Sequence, residues 1–161
     1  MTEADRVLSV GLVTGYGGGT DIKKGVKRGA FEVTVSAYAS PQGDDYQDEW
    51  TGSGGQEIAR AKDGSESTRV YAGQVLKSEK LAELGLTSKD VIKKLKLWIV
   101  ILGEATRLDK TCHPEPDGDW TYSYDILEKD TDGIPLTIAK ELIRYQGVVV
   151  FKHGFMKSPI K

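Results

Sequence analysis

Apolar and polar positions alternate most cleanly over residues 31–39. Phe31, Val33, Val35 and Ala37 fall on one side, and Glu32, Thr34 and Ser36 on the other. A period of two marks a half-buried strand. Residues 120–127 repeat the pattern with Trp120, Tyr122 and Tyr124 on one side. Residues 69–76 and 148–152 are apolar and β-branched enough to predict strands, and residues 7–14 form a similar run closed by glycine. Residues 78–85 predict a short helix. A second helix runs to residue 96, capped by Thr87 or Ser88, with Val91, Ile92 and Leu95 on one face.

Residues 97–102 fit two patterns. Trp98, Ile99, Val100 and Ile101 are β-formers, whereas Val91, Leu95, Trp98 and Leu102 continue the helical stripe. Composition favours a strand. Pro135 suits the first turn of a helix ending at Tyr145, and Gly147 stops it. The sum is an α+β fold: one twisted, mainly antiparallel sheet with two or three helices packed on one face.

Residues 40–68 break the rhythm. They are rich in Gly, Asp, Ser and Gln, and predict a long polar loop within one domain of 161 residues. A chain of this length buries enough surface to fold without disulfides or metals. Its 22 basic and 24 acidic residues leave a net charge of −2, which disfavours a dedicated nucleic-acid binder. One cysteine, Cys112, forms no internal bridge, and no signal-like leader or membrane-length apolar run is present. The expectation is a cytoplasmic protein of the producing cell or its host, not a secreted one.

The candidate chemistry is sparse, and no cofactor is expected. Gly15-Tyr16-Gly17-Gly18-Gly19-Thr20 stands where a phosphate loop would, but Thr20 replaces the third glycine and no helical stripe follows. Gly25-Val26-Lys27 likewise misses the Gly-Lys-Ser/Thr signature. Glu128, Asp130, Asp132 and Gly133 resemble half a calcium loop, but Ala139 occupies the place of its closing glutamate. Cys112, His113 and His153 are too few and too unevenly spaced for a zinc site. Together with a carboxylate such as Asp125 they leave open a small enzyme with a non-standard site.

Charge clustering says more. Lys23, Lys24, Lys27 and Arg28 form a basic cluster. Asp44, Asp45, Asp48 and Glu49 form an acidic one around Tyr46 and Trp50. Opposite, aromatic-flanked patches on loops suit docking between molecules. The stripe Trp120, Tyr122 and Tyr124 is interleaved with Thr121, Ser123 and Asp125, and so lacks the cations of a base-stacking platform.

The C-terminal half resembles rhabdovirus-type matrix proteins in layout. The shared features are an apolar segment over residues 94–102, a proline-containing loop, the aromatic strand Asp119-Trp120-Thr121-Tyr122-Ser123-Tyr124, the acidic turn Asp130-Thr131-Asp132-Gly133, an apolar element and a last strand at 147–152. The basic tail and proline-tyrosine motif of those proteins are missing. The resemblance implies a self-associating structural protein that coats a nucleocapsid. The reading favoured by the residues is a non-enzymatic structural or interaction protein that self-associates or docks another protein through its charged loops. A nucleotide or nucleic-acid binder using the Gly15–Arg28 segment remains a less favoured alternative.

Overall fold

The computed structural model describes residues 2–19 and 22–160. The chain opens with helix α1 (Glu3–Leu12) and a π-helical turn, Val13–Gly17. Five strands follow: β1 (Ile22–Arg28), β2 (Phe31–Ala39), β3 (Asp45–Thr51), β4 (Gly54–Arg60) and β5 (Glu66–Val75). Helices α2 (Ser78–Glu83) and α3 (Ser88–Leu102) come next, then β6 (Trp120–Lys129), β7 (Thr137–Tyr145) and β8 (Val148–Pro159). All eight strands form one antiparallel sheet in the order β1-β2-β3-β4-β5-β8-β7-β6. The fold is α+β, as the alternation predicts.

Four expectations are corrected. Residues 7–14 lie in α1 and its π-turn, not in a strand. Thr2 and Asp5 close a capping box: the Asp5 N–H donates to Thr2 Oγ1 (3.2 Å), and the Thr2 N–H donates to the Asp5 carboxylate (2.8 Å). The buried Ala4, Leu8 and Leu12 then recur at helical spacing. Gly11 lets this helix lie on β3, because a Cβ there would come within 2.2 Å of the Tyr46 ring.

Residues 97–102 complete α3, which begins with a second capping box between Thr87 and Asp90. Val91, Leu95, Trp98 and Ile99 are its buried stripe, and Trp98 stacks on Tyr122 with ring centroids 5.7 Å apart. Packing on the sheet outweighs the β-propensity of the Trp-Ile-Val-Ile run.

Within the expected helix 135–145, residues 137–145 instead form β7. Both neighbours, β6 and β8, bond to it. Thr137, Ala139, Glu141 and Ile143 point inward at a period of two.

The polar stretch 40–68 is also ordered, as β3, β4 and the start of β5. Its alternation is hidden from a hydropathy reading because inward positions are polar: Asp48, Glu57 and Arg69 are buried alongside Tyr46 and Ala59.

Those polar residues form the centre of the concave face, between two apolar clusters. One cluster gathers α3 with Tyr122, Tyr124, Ile143, Phe151 and Phe155; the other gathers α1 with Tyr46, Ala59 and Ala61. Arg69 donates to Glu57 through Nε (2.5 Å) and Nη2 (2.8 Å), and through Nη1 to the Arg107 carbonyl (2.7 Å). Arg107 donates to Glu141 through Nε (3.0 Å) and Nη2 (2.7 Å). Tyr46 and Tyr122 hydroxyls donate to the two carboxylates at 2.8 and 2.6 Å. Both guanidiniums lie over the Phe155 ring, 5.9 and 4.9 Å from its centroid. Coulombic attraction to Arg69 holds the Glu57 carboxyl below its ordinary range against the opposing effect of burial.

Removing one member of such a pair strands the other charge, at a cost of about 3–5 kcal/mol. Arg69→Met and Glu57→Leu are each expected to lower unfolding free energy by that order in urea titration. The double replacement is expected to cost less than the sum of the two.

Candidate interaction surface

The basic and acidic clusters lie on strands rather than loops, with β2 between them. Lys23, Lys24, Lys27 and Arg28 sit on β1, an edge of the sheet; Asp45, Tyr46, Asp48, Glu49 and Trp50 sit on β3, one residue after Asp44. The strand period divides each cluster between two faces. Arg28 reaches across β2 to Glu49 with two hydrogen bonds of 3.0 Å, so these two charges neutralise each other within one chain.

Asp44 is buried, accepting from the Lys62 N–H (3.1 Å) and Arg6 Nη2 (3.4 Å). Tyr46 and Asp48 point into the concave face. Lys23 Nζ stands between the Tyr16 and Trp50 rings, 5.7 and 6.0 Å from their centroids. Lys24, Lys27 and Asp45 remain exposed on the surface. Lysines on an open edge strand also discourage uncontrolled strand addition.

The residues of the enzymatic alternative are dispersed. Cys112 pairs its backbone with Tyr124 beside the outer edge of β6. Next to it the exposed His113 Nε2 lies 2.7 Å from Asp125 Oδ1. His153 projects from β8 into the concave face, among Phe151, Phe155 and Tyr71. Among the described residues no cluster of three or more His, Cys, Asp or Glu is arranged to hold a metal ion. Asp130 and Asp132 adopt left-handed backbone conformations (φ 51° and 56°), as in a tight turn.

The glycine-rich segment follows a helix and leads into a strand, so it lacks the strand–loop–helix setting of a phosphate loop. Thr20 and Asp21 of that segment lie outside the described residues. Gly17 packs under α3, where a Cβ would be 3.2 Å from Val100.

The convex face of the sheet is the feature that hydropathy reading missed. Helices α1, α2 and α3 cover the concave side, where most of the buried side chains of β3–β8 point. On the opposite side Val70 faces Met156 across β5 and β8, and Met156 faces Ile138 across β8 and β7. Leu127 and Ile58 flank this row, and Ile58, Met156 and Leu127 are 41%, 49% and 59% exposed. A shallow apolar groove runs along Val70, Ala72, Ile138, Gly154 and Met156, bordered by Lys140 and Lys152. A contiguous apolar band of this kind on an exposed sheet marks a contact surface. A one-residue alternation made of isolated Val, Ile and Met positions in four separate strands leaves no local signal in the chain.

A second exposed apolar patch, Leu97, Val100 and Ile101, ends α3. No helix of the described residues is long and apolar enough to cross a membrane. No family model matches the chain, and the searches of curated proteins and of solved structures find no match.

Asp48 offers a check on this geometry. Burial first, and the negative charge of Glu57 second, push its carboxyl from the ordinary 3.8 up to about 7, although the Tyr71 hydroxyl donates to it at 3.0 and 3.1 Å. The folded chain therefore holds an extra proton between these two values, and stability falls as pH rises through that window. Asp48→Asn should flatten the slope of unfolding free energy against pH. It should gain up to roughly a few kcal/mol at about pH 8 and little at about pH 4.

Proposed function

We propose that the protein is a non-enzymatic structural module that self-associates through the open convex face of its sheet. The observation that carries this reading is the apolar row Val70, Met156 and Ile138, flanked by Ile58, with Met156 and Ile58 exposed and Val70 and Ile138 half-buried, at the middle of an eight-stranded sheet whose helices cover the other face. The occupant that best fits the face is a second copy, and the fit is one of charge. Counting from β5, strand β3 lies two places to one side and β7 two places to the other. On the convex side β3 carries the exposed Asp45, beside a Glu49 already paired with Arg28, whereas the β7–β8 side carries Lys140 and Lys152.

A twofold axis along β5 brings the acidic side of each copy over the basic side of the other, with the apolar rows meeting between them. Sheets stacked in this way pack about 10 Å apart with strands nearly aligned, and a twofold contact is self-complementary by construction. The charges set register and salt sensitivity, while burial of the central row supplies affinity. The layout shared by the C-terminal half with rhabdovirus-type matrix proteins leans the same way, toward a protein that builds a larger coat from copies of itself. The exposed Lys24 and Lys27 on the free edge then remain available to an acidic partner.

The test is sedimentation of the purified chain. A concentration-dependent dimer at low salt, weakened as salt rises past the range where the Debye length falls below about 8 Å, is expected. Met156→Glu should raise the dimer dissociation constant at least about tenfold, some 1.4 kcal/mol, with unchanged circular dichroism. Lys140→Glu should weaken the dimer, and adding Asp45→Lys should restore it. A monomer under all conditions, or assembly indifferent to Met156→Glu, overturns the reading.

A further inference from the structure

The concave face contains a cavity of about 190 Å³ that the proposed assembly does not use. Its walls are apolar: Leu12 from α1, Ile92 and Leu95 from α3, Val75 from β5 and Phe151 from β8. Tyr16 and Trp50 are the aromatic side chains lining it between the π-turn and β3. A cavity of roughly 150 Å³ holds a benzene molecule, so this one has room for a six-membered ring with one or two small substituents.

One end of the cavity is polar. His153 is packed by the Phe151, Tyr71 and Phe155 rings at centroid distances of 4.4, 5.5 and 5.7 Å. Its Nδ1 is sealed from solvent without a hydrogen bond, 3.8 Å from Glu141 Oε2. Gly73 makes the room for this ring: a Cβ there would lie 1.9 Å from the Lys152 carbonyl and 2.5 Å from His153 Cδ2.

With the proton placed on Nδ1, the nitrogen 3.8 Å from the Glu141 carboxylate, Nε2 keeps a lone pair for a guest. Burial, and then the charge of Arg107, hold the imidazole down to about 4, so the ring is neutral and one of its nitrogens is an acceptor. Arg107 commits Nε and Nη2 to Glu141, which leaves Nη1 to serve a guest. Asp48 and Tyr71 face the same space and already satisfy each other.

Charge decides what such a site takes. A cationic ring would meet Arg107, and a carboxylate would meet Asp48 and Glu57, the charged side chains of the lining. A neutral ring bearing a hydroxyl answers both unused groups, since an O–H donates to a bare imidazole nitrogen and its oxygen accepts from a guanidinium. We propose that this cavity binds a neutral, single-ring ligand of the phenol class. Its hydroxyl donates to His153 Nε2 and its ring lies against Leu95, Phe151 and Tyr16.

The test uses the full chain and phenol itself, followed by titration calorimetry and by tryptophan fluorescence, with benzoate and benzylamine as charged rings of similar size. One saturable phenol site is expected, with both charged rings at least about tenfold weaker, a difference of 1.4 kcal/mol or more. His153→Phe keeps an aromatic ring in place and should weaken phenol about tenfold. Ile92→Trp fills the cavity from α3 without touching its polar end, and should abolish phenol binding while the melting temperature holds. Absence of a saturable site in the wild-type chain overturns the proposal, as does equal binding of benzoate or benzylamine. So does undiminished binding by folded His153→Phe. If His153→Phe fails to fold, undiminished phenol binding by Ile92→Trp has the same force.

Discussion

Two buried ion pairs set the terms on which this sheet exists. Glu57–Arg69 joins β4 to β5, and Arg107–Glu141 joins the segment after α3 to β7. The Arg69 bond to the Arg107 carbonyl links them into one unit. Charges so far from water are tolerable because they are paired with each other and hydrogen-bonded. Tyr46 and Tyr122 provide the remaining donors, and Phe155 presents its ring face to both cations. This network ties together strands on either side of β8 and holds Arg107 in a left-handed backbone conformation (φ 52°). A network that pairs charges across several strands favours the register that brings its members together, a constraint that apolar packing alone does not impose.

The same network separates two apolar clusters that would otherwise merge. α1 closes one end of the concave face and α3 the other. A third anchor lies near the N-terminus, where Lys157 of β8 reaches Asp5 of α1 (3.0 Å) and Asp109 (2.9 Å). The first helix is thereby fastened to the last strand. Between the clusters the helices do not meet over the polar centre, and the space left there is the cavity beside His153. The cavity and the ion pairs are two consequences of one fact: the middle of this face is lined by residues too polar to be packed shut.

The convex face follows the opposite logic. No helix covers it, so its residues were free to be polar, as in many antiparallel sheets with one solvated side. Several are not. Val70, Ile138 and Met156, flanked by Ile58, keep an apolar row in the middle, with Asp45 toward β3 and lysines toward β7 and β8. The molecule thus hides charge where most sheets bury hydrocarbon and shows hydrocarbon where most sheets meet water.

That inversion explains what could be read from the chain and what could not. Strands β2, β6 and β8, helix α2 and the start of α3 carry their own signals in the local period, although in β2 Phe31 and Ala37 of the apolar side are exposed while Ser36 is buried. The fold class follows from them. The segment 40–68 shows no strand signal because Asp48 and Glu57 occupy inward positions, and their burial makes sense only once Arg69 and Arg107 are in place. Residues 7–14 and 97–102 have β-forming composition, and are helical because capping boxes start them and the sheet receives their buried stripes. Residues 137–145 contain good helix formers, and are a strand because two neighbouring strands claim their backbone. The charged clusters were visible as charge, but which members face one another was decided by strand pairing. A periodic pattern is a local property that the chain carries within itself. The partner of a buried charge, and the face on which a side chain emerges, depend on residues tens of positions away, and exist only after the sheet has closed.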